Sequence, residues 1–277
     1  MRTVFFDTGL ENNLTHKGYA IINQFLNPAE LSELETFIAH NPLNDTRLFA
    51  ISNWNKDKEY SKKINDHIIK ILSPAANKYI CNYKPVMGVL AFKQPGVNGA
   101  LTMHQDWSLV DEEQYRSVSI WLAVSEMNEV TGTIQIIKGS HKYANYPRGI
   151  NTGYSFSDVQ HYLEANHLEN IFLKKGDAII FDHRLIHGSA INKSTEPRIA
   201  AVLALIPSEA EFIHYYKSEE NESTYEILAM NESEFFMLDF FDIKNRPSHI
   251  SKLAEKPSFF KMLELDQVKS FYSNENE

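Results

Sequence analysis

Apolar positions along the chain fall into two textures, with the change near residue 84. In the first, a short run at residues 18–26 follows a glycine breaker and carries Tyr19, Ile21 and Ile22, which reads as a strand. Asn27-Pro28-Ala29-Glu30 then opens a helix. Asn27 suits the N-cap, Pro28 suits the first helical position, and the Glu30 carboxylate can reach back as in a capping box. Leu31, Leu34, Phe37 and Ile38 give that helix one apolar stripe, and it should stop near Asn41-Pro42. The spacing predicts a second helix over residues 60–72, with Ile64, Ile68, Ile71 and Leu72 on one side, kinked or restarted at Ser73-Pro74. His67 lies in it as a partly exposed helix residue rather than a ligand.

From residue 84 the runs shorten and become β-rich: 86–93, 117–124, 132–137, 177–181 and 198–206, punctuated by Pro95-Gly96 and Lys138-Gly139-Ser140. Strands at such spacing predict a β-sandwich or jelly roll with its core at residues 84–207. A long insert, residues 143–168, interrupts them, and Ser157-x-x-Gln160 suits the start of a short helix there. Long inserts in compact domains are often lids or binding loops, and Gly149, Gly153 and Ser157 give this one places to bend. From Glu209 onward the chain reads as helical and aromatic, with Phe235, Phe236, Phe240 and Phe241 packing on the core or on a partner chain. With no repeat, low-complexity segment or linker, residues 1–277 are expected to form one domain, mainly β with flanking helices.

Composition narrows the function. A hydrophobic content of 43% is ample for a core. The net charge is -9, and Lys62-Lys63 and Lys174-Lys175 are the longest lysine runs, so nucleic acid is not the expected partner. A single cysteine, Cys81, excludes an internal disulfide and a cysteine-based zinc or iron–sulfur site within one chain. No apolar run approaches the ~20 residues that cross a bilayer, and the first residues carry no apolar signal core. The expectation is a soluble, cytoplasmic protein acting on a small molecule, with its oligomeric state open.

The candidate chemistry centres on Met103-His104-Gln105-Asp106-Trp107. In a strand, His104 and Asp106 share a face. A surface histidine beside a solvated aspartate is the competing reading of so short a motif. With His187, from Leu185-Ile186-His187-Gly188-Ser189, the pair would make the two-histidine, one-carboxylate facial set of non-haem Fe(II) oxygenases. Gly176-Asp177 is a turn signal, after which Ile179, Phe181, His183, Leu185 and His187 would share a face of an unbroken strand. His183 and His187 are also four apart, a zinc spacing on a helix, but the turn and the β-rich run argue for a strand and for His183 as a packing or supporting residue. Arg198 opens the next strand 11 residues after His187. The apolar residues that follow it imply burial, and a buried guanidinium needs an anionic partner.

The ordered set His104-x-Asp106, Trp121, Gly132-Thr133-Ile134, Gly139-Ser140-His141-Lys142, His187-Gly188-Ser189 and Arg198 resembles the phytanoyl-CoA dioxygenase family. Lys17-Gly18-Tyr19 and the Asn27-Pro28 helix look like that family's opening, so the resemblance covers roughly residues 14–207. It implies a double-stranded β-helix (jelly-roll, cupin-like) fold using Fe(II), 2-oxoglutarate and O2. It also implies His104, Asp106 and His187 as iron ligands, Arg198 and Ser189 on the far carboxylate of 2-oxoglutarate, and Trp121 and Met87 lining that pocket. His141 would belong to a structural turn. Because Asp106 is present where related halogenating enzymes have a small residue, the resemblance implies hydroxylation. The substrate would be a small metabolite such as an amino acid or natural-product intermediate; a CoA ester is disfavoured by the lack of a basic cluster. Asp111-Glu112-Glu113 reads as a solvated loop, or as a surface for a cationic substrate. An acyl-CoA hydroxylase of the same family, a cupin-type hydrolase or isomerase with another divalent ion, and a non-catalytic β-sandwich remain alternatives.

Overall fold

The computed structural model describes residues 2–43, 45–149, 151–218, 221, 223–231, 235, 246, 249–258 and 260–274. In chain order these form α1 (Thr8–Lys17), β1 (Tyr19–Ile22), α2 (Pro28–His40), β2 (Phe49–Ile51), α3 (Lys58–Ala76), β3 (Tyr83–Lys93), β4 (Leu101–His104), β5 (Val118–Ala123) and β6 (Ile134–Ile137). They continue with α4 (Gln160–His167), β7 (Leu168–Ile171), β8 (Ala178–Asp182), β9 (His187–Ser189), β10 (Arg198–Pro207), β11 (Ile213–Lys217), β12 (Thr224–Ala229), β13 (Lys252–Pro257) and α5 (Leu265–Asn274).

The long strands are apolar on both faces because both faces are covered. The order of the six-stranded sheet is β1-β8-β5-β10-β3-β2, and that of the four-stranded sheet is β4-β9-β6-β7. Neighbouring strands are antiparallel in each. On the outer face of the large sheet, Val118, Ile120 and Leu122 of β5 and Leu203 and Leu205 of β10 meet Leu34 of α2 and Ile64 and Ile68 of α3. Trp121, Ile179, Phe181 and Val202 point the other way, into a layer shared with Ile134, Ile136 and Ile171 of the small sheet. This is the jelly roll expected from the strand spacing, closed by helices on one side.

Local signals explain the helices. Asn27 Oδ1 accepts from the Ala29 and Glu30 amides while Glu30 Oε2 accepts from the Asn27 amide, completing the capping box. Helix α3 runs through Pro74, which sits in its last turn, so no restart is needed. His67 is half-buried and stacks on Phe37. Helix α1 carries little periodicity, since Leu14 is its one buried residue, and it is held instead by the Asp7 N-cap and the left-handed Gly18 after it.

Two expectations need correction. Among the described residues after Glu209, helix is not the main element: β11, β12 and β13 form an antiparallel sheet, and α5 is a late addition. Ile213, Tyr215, Tyr225 and Ile227 pack together, and β-branched and aromatic residues of this kind favour strands. Phe235 is buried against Phe212 and Trp107, whereas Phe236, Phe240 and Phe241 lie outside the described residues. Gly149 is also not free space for a hinge. A Cβ there would collide with the Tyr215 carbonyl oxygen, so the glycine lets the insert lie against β11. Within the insert, Ser157 opens a 3-10 turn that leads into α4 and makes no side-chain cap.

Gly18 joins α1, β1 and the turn at His141. It has φ +88, and a Cβ would come within 2.6 Å of His141 Nδ1 and 2.7 Å of Leu185 Cδ1. His141 Nε2 donates to the Thr15 carbonyl, so that ring is tied to α1 and does not simply swing away. Gly18→Ala is therefore expected to lower unfolding stability by about 2–4 kcal/mol, adding left-handed strain to overpacking. Urea denaturation checks this as a lower midpoint at unchanged slope.

Candidate metal centre and its cavity

Strand pairing brings the two histidines together. His104 closes β4 directly opposite His187, the first residue of β9, with ring centroids 4.2 Å apart. Asp106, two residues past β4, turns back so that its Oδ1 lies 3.8 Å from His187 Nε2. One ligand-capable atom from each of His104, Asp106 and His187 lies within 4.8 Å of the others. His104 Nδ1 faces the Thr102 carbonyl and His187 Nδ1 faces the Leu185 carbonyl, each at 2.9 Å. A carbonyl only accepts, so in both contacts Nδ1 carries the hydrogen and Nε2 keeps its lone pair, the tautomer a metal ligand needs. Burial, and then the neighbouring His104, push His187 down to about 4, which favours its neutral form. Burial raises the Asp106 carboxyl, but the surrounding His183, His187 and His104 outweigh it and hold the group below its usual value. Two imidazoles and one carboxylate with ligand-capable atoms this close together suit a divalent ion.

The loop carrying Asp106 is held from several sides. Ser119 Oγ donates to Asp106 Oδ2 at 2.8 Å and also lies 2.9 Å from His183 Nε2. His183 sits in the turn after β8, not on one unbroken strand with His187, and it supports Asp106 through Ser119. Gln105 donates to the carbonyls of Ala144 and Arg184. Arg148, 2% exposed, reaches in from the insert. Its Nε donates to the Asp106 carbonyl at 2.8 Å, and Nη1 and Nη2 bind the two carboxylate oxygens of Glu112 at 2.9 and 2.6 Å. The acidic run is thus not simply a solvated loop. Glu112 is consumed by Arg148, and Asp111 pairs with Lys256 at 3.1 Å.

A cavity of about 340 Å³ opens above the cluster. Met87, Trp107, Trp121 and Val202 line it, and Tyr154 brings the insert to its wall. Asn53 Nδ2 lies 3.6 Å from Met87 Sδ. Arg198 is not part of this lining; it is 1% exposed and, among the described residues, has no hydrogen-bond partner at Nε, Nη1 or Nη2. Its Cζ lies 5.3 Å from the Trp121 ring. Ser189 Oγ, two residues along β9 from His187, and Trp121 Nε1 are likewise buried without partners. Burial pushes the Arg198 guanidinium down to about 10. These orphaned donors are what an anionic ligand would satisfy. Sequence reasoning missed Ser119 and Arg148. Ser119 shares the inward face of β5 with Trp121, so period-two alternation could have found it. Arg148 carries no local signal.

Two antiparallel sheets enclosing an apolar layer, with His104, Asp106 and His187 gathered at one mouth, define a cupin-like double-stranded β-helix protein with a candidate metal centre. The chain belongs to the phytanoyl-CoA dioxygenase (PhyH) family, whose profile matches residues 14–200. A phytanoyl-CoA dioxygenase of Arabidopsis thaliana is 33% identical over 121 residues, covering 43% of this chain and 42% of that protein. The chain spans about half the length of the curated relatives it matches. Among solved structures, the epimerase SnoN in complex with Fe3+, alpha ketoglutarate and nogalamycin RO has a TM-score of 0.55 at 12% identity, covering 94% of this chain and 96% of that one. HygX from Streptomyces hygroscopicus, with nickel, 2-oxoglutarate and hygromycin B bound, has a TM-score of 0.52 at 14% identity, covering 74% and 88%. These likenesses show a shared fold. Among the described residues, no helix is long and apolar enough to cross a membrane.

Arg148→Ala is expected to cost about 3 kcal/mol of unfolding stability, because it strands the Glu112 carboxylate and frees the Asp106 carbonyl. The paired change Arg148→Met with Glu112→Gln should recover part of that loss. Equal stability of Arg148→Ala and the parent protein by denaturation would show that the insert is not anchored through this contact.

Proposed function

We propose that the protein is a non-haem Fe(II)- and 2-oxoglutarate-dependent oxygenase that hydroxylates an unactivated C–H bond of a small-molecule metabolite. The observation that carries this reading is the buried Arg198 guanidinium, which has no acceptor among the described residues, grouped with the orphaned Ser189 hydroxyl, two residues along β9 from His187, and the orphaned Trp121 indole of β5. A hydrolytic metal site has no use for such a cation, and a non-catalytic sandwich has no use for it beside three metal-ligating side chains. Family membership and the metal and 2-oxoglutarate bound in SnoN and HygX support the same reading.

In this reading His104, Asp106 and His187 hold the iron, and the histidine Nδ1–H contacts fix which nitrogen faces it. When bound, Fe(II) with 2-oxoglutarate and O2 supplies an oxidation that inserts one oxygen atom into the substrate and releases succinate and CO2. Arg198 binds the carboxylate of 2-oxoglutarate remote from the metal through two parallel donors, and Ser189 adds a hydroxyl. Met87 and Trp121 wall that pocket. The Ser119–His183 pair keeps Asp106 aimed, and Tyr154 from the insert narrows the mouth against water. The described wall beyond His104, Asp106, His183 and His187 holds no charged side chain, which favours an uncharged, largely apolar metabolite over a free amino acid or a CoA headgroup in the cavity.

Anaerobic addition of 2-oxoglutarate to the Fe(II) protein should produce a visible charge-transfer band. Iron binding without that band would turn the assignment toward the hydrolase or isomerase alternative. Arg198→Lys keeps the charge but loses the planar fork, so the dissociation constant for 2-oxoglutarate should rise by roughly one to two orders of magnitude. Iron content should be unchanged, and Arg198→Ala should be weaker still. Both are read by anaerobic titration, and unchanged affinity in both variants would make Arg198 a strand residue only.

A further inference from the structure

Lys93 is buried as deeply as any polar residue of the core, at 0% exposure. It lies directly across from Arg198 in the β3–β10 pairing. Its Nζ donates to the main-chain carbonyls of Ser189 and Ala190, at 3.1 and 2.6 Å, and stands 5.6 Å from the Phe49 ring of β2. No carboxylate hydrogen-bonds Lys93 or Arg198 among the described residues. Two like charges directly opposed on neighbouring strands destabilise a sheet, and each is costly to bury alone. An ammonium has three donors, and Lys93 has two fixed acceptors, so one N–H remains to be satisfied.

We propose that Lys93 is a second cation of the 2-oxoglutarate pocket: paired across the sheet with Arg198, it supplies positive charge for the far carboxylate and positions Ser189 through the β9 backbone. The inference rests on the 2-oxoglutarate reading of the site. Arg198 alone would leave a carboxylate with unused acceptor capacity, whereas the guanidinium fork, the Ser189 hydroxyl and the spare lysine donor together match its lone pairs.

Protonation offers a readout that a purely structural lysine would not give. Burial, then the charge of Arg198, push Lys93 down to about 7. Arg198 faces it from β10, the uncharged Phe49 ring from β2, and carbonyl oxygens from β9. Slightly above neutral pH the amine is therefore largely uncharged in the free protein. Arrival of a dicarboxylate raises its affinity for a proton, so binding draws one in. The sign follows: above pH 7, affinity for 2-oxoglutarate falls as pH rises, by up to about tenfold per pH unit. Proton competition at metal-binding histidines gives the opposite trend.

The experiment is anaerobic calorimetry of 2-oxoglutarate binding to the Fe(II) protein at pH 7.5, in two buffers of different ionisation enthalpy, repeated across pH 7.0–8.5. Wild-type protein should take up a proton fraction and bind more weakly as pH rises. Lys93→Gln retains an amide donor for the β9 carbonyls but carries no charge. It should hold iron normally, bind 2-oxoglutarate about tenfold more weakly at pH 7, and lose both the uptake and the slope. Wild-type binding without proton uptake overturns the inference even if the variant does not fold. Wild-type affinity and uptake in Lys93→Gln, while Arg198→Lys is impaired, overturn the inference and leave the oxygenase reading standing. Iron-loaded wild-type protein that binds no 2-oxoglutarate overturns both.

Discussion

The architecture depends on holding a positive charge, unpaired among the described residues, inside a closely packed sheet. Arg198 is nearly inaccessible and, among the described residues, has no acceptor on any guanidinium nitrogen, and Lys93 stands beside it against two carbonyls and the Phe49 ring. Burying a lone charge costs on the order of several kcal/mol. A flexible sheet would let the guanidinium turn to water. Here β10 is pinned between β3 and β5, and the face behind it is packed by α2 and α3, so the side chain has nowhere else to go. A close approach shows how tight that layer is: a Cβ on Gly88 of β3 would meet the Asn65 carbonyl oxygen of α3 at 2.9 Å. The helices outside the sheet are thus part of what keeps the Arg198 guanidinium buried.

The candidate metal cluster is built on the opposite logic, with strands bringing the donors and loops aiming them. His104 and His187 are register partners, so their proximity follows from strand pairing. Asp106 lies beyond the strand, and its direction is set by contacts from three separate elements: Ser119 of β5, His183 after β8, and Arg148 of the insert through the Asp106 carbonyl. The insert is therefore anchored next to the centre even as Tyr154 reaches the cavity wall. Such support from outside the first set of donors is what fixes ligand orientation in metal sites generally.

Much of this was legible in the chain. Helix α2 starts where Asn27, Pro28 and Glu30 place it, because capping is a contact between residues two or three apart. The central strands lie within a few residues of their expected positions, because their burial on two faces leaves long apolar runs. The segment after Glu209 was misread because aromatic residues serve either a helix face or a strand face, and the Ile213–Tyr216 stretch becomes a strand only by pairing with β12. Gly149 was misread for a related reason: a glycine demanded by a distant carbonyl looks, in sequence, the same as one that bends.

The capping of α2, the placement of the core strands and the choice of His104, Asp106, His187, Arg198, Ser189 and Trp121 as candidates were all readable along the chain. Those follow from local contacts, from periodicity and from an ordered set of motifs. It took the folded chain to set Lys93 opposite Arg198, to bring Ser119 and His183 to Asp106, and to spend Glu112 on Arg148. Each of those is an encounter between side chains far apart in the chain. Lysine, serine and glutamate are ordinary surface residues until a fold buries them, and burial turns the question of their partners into one with a large energetic answer.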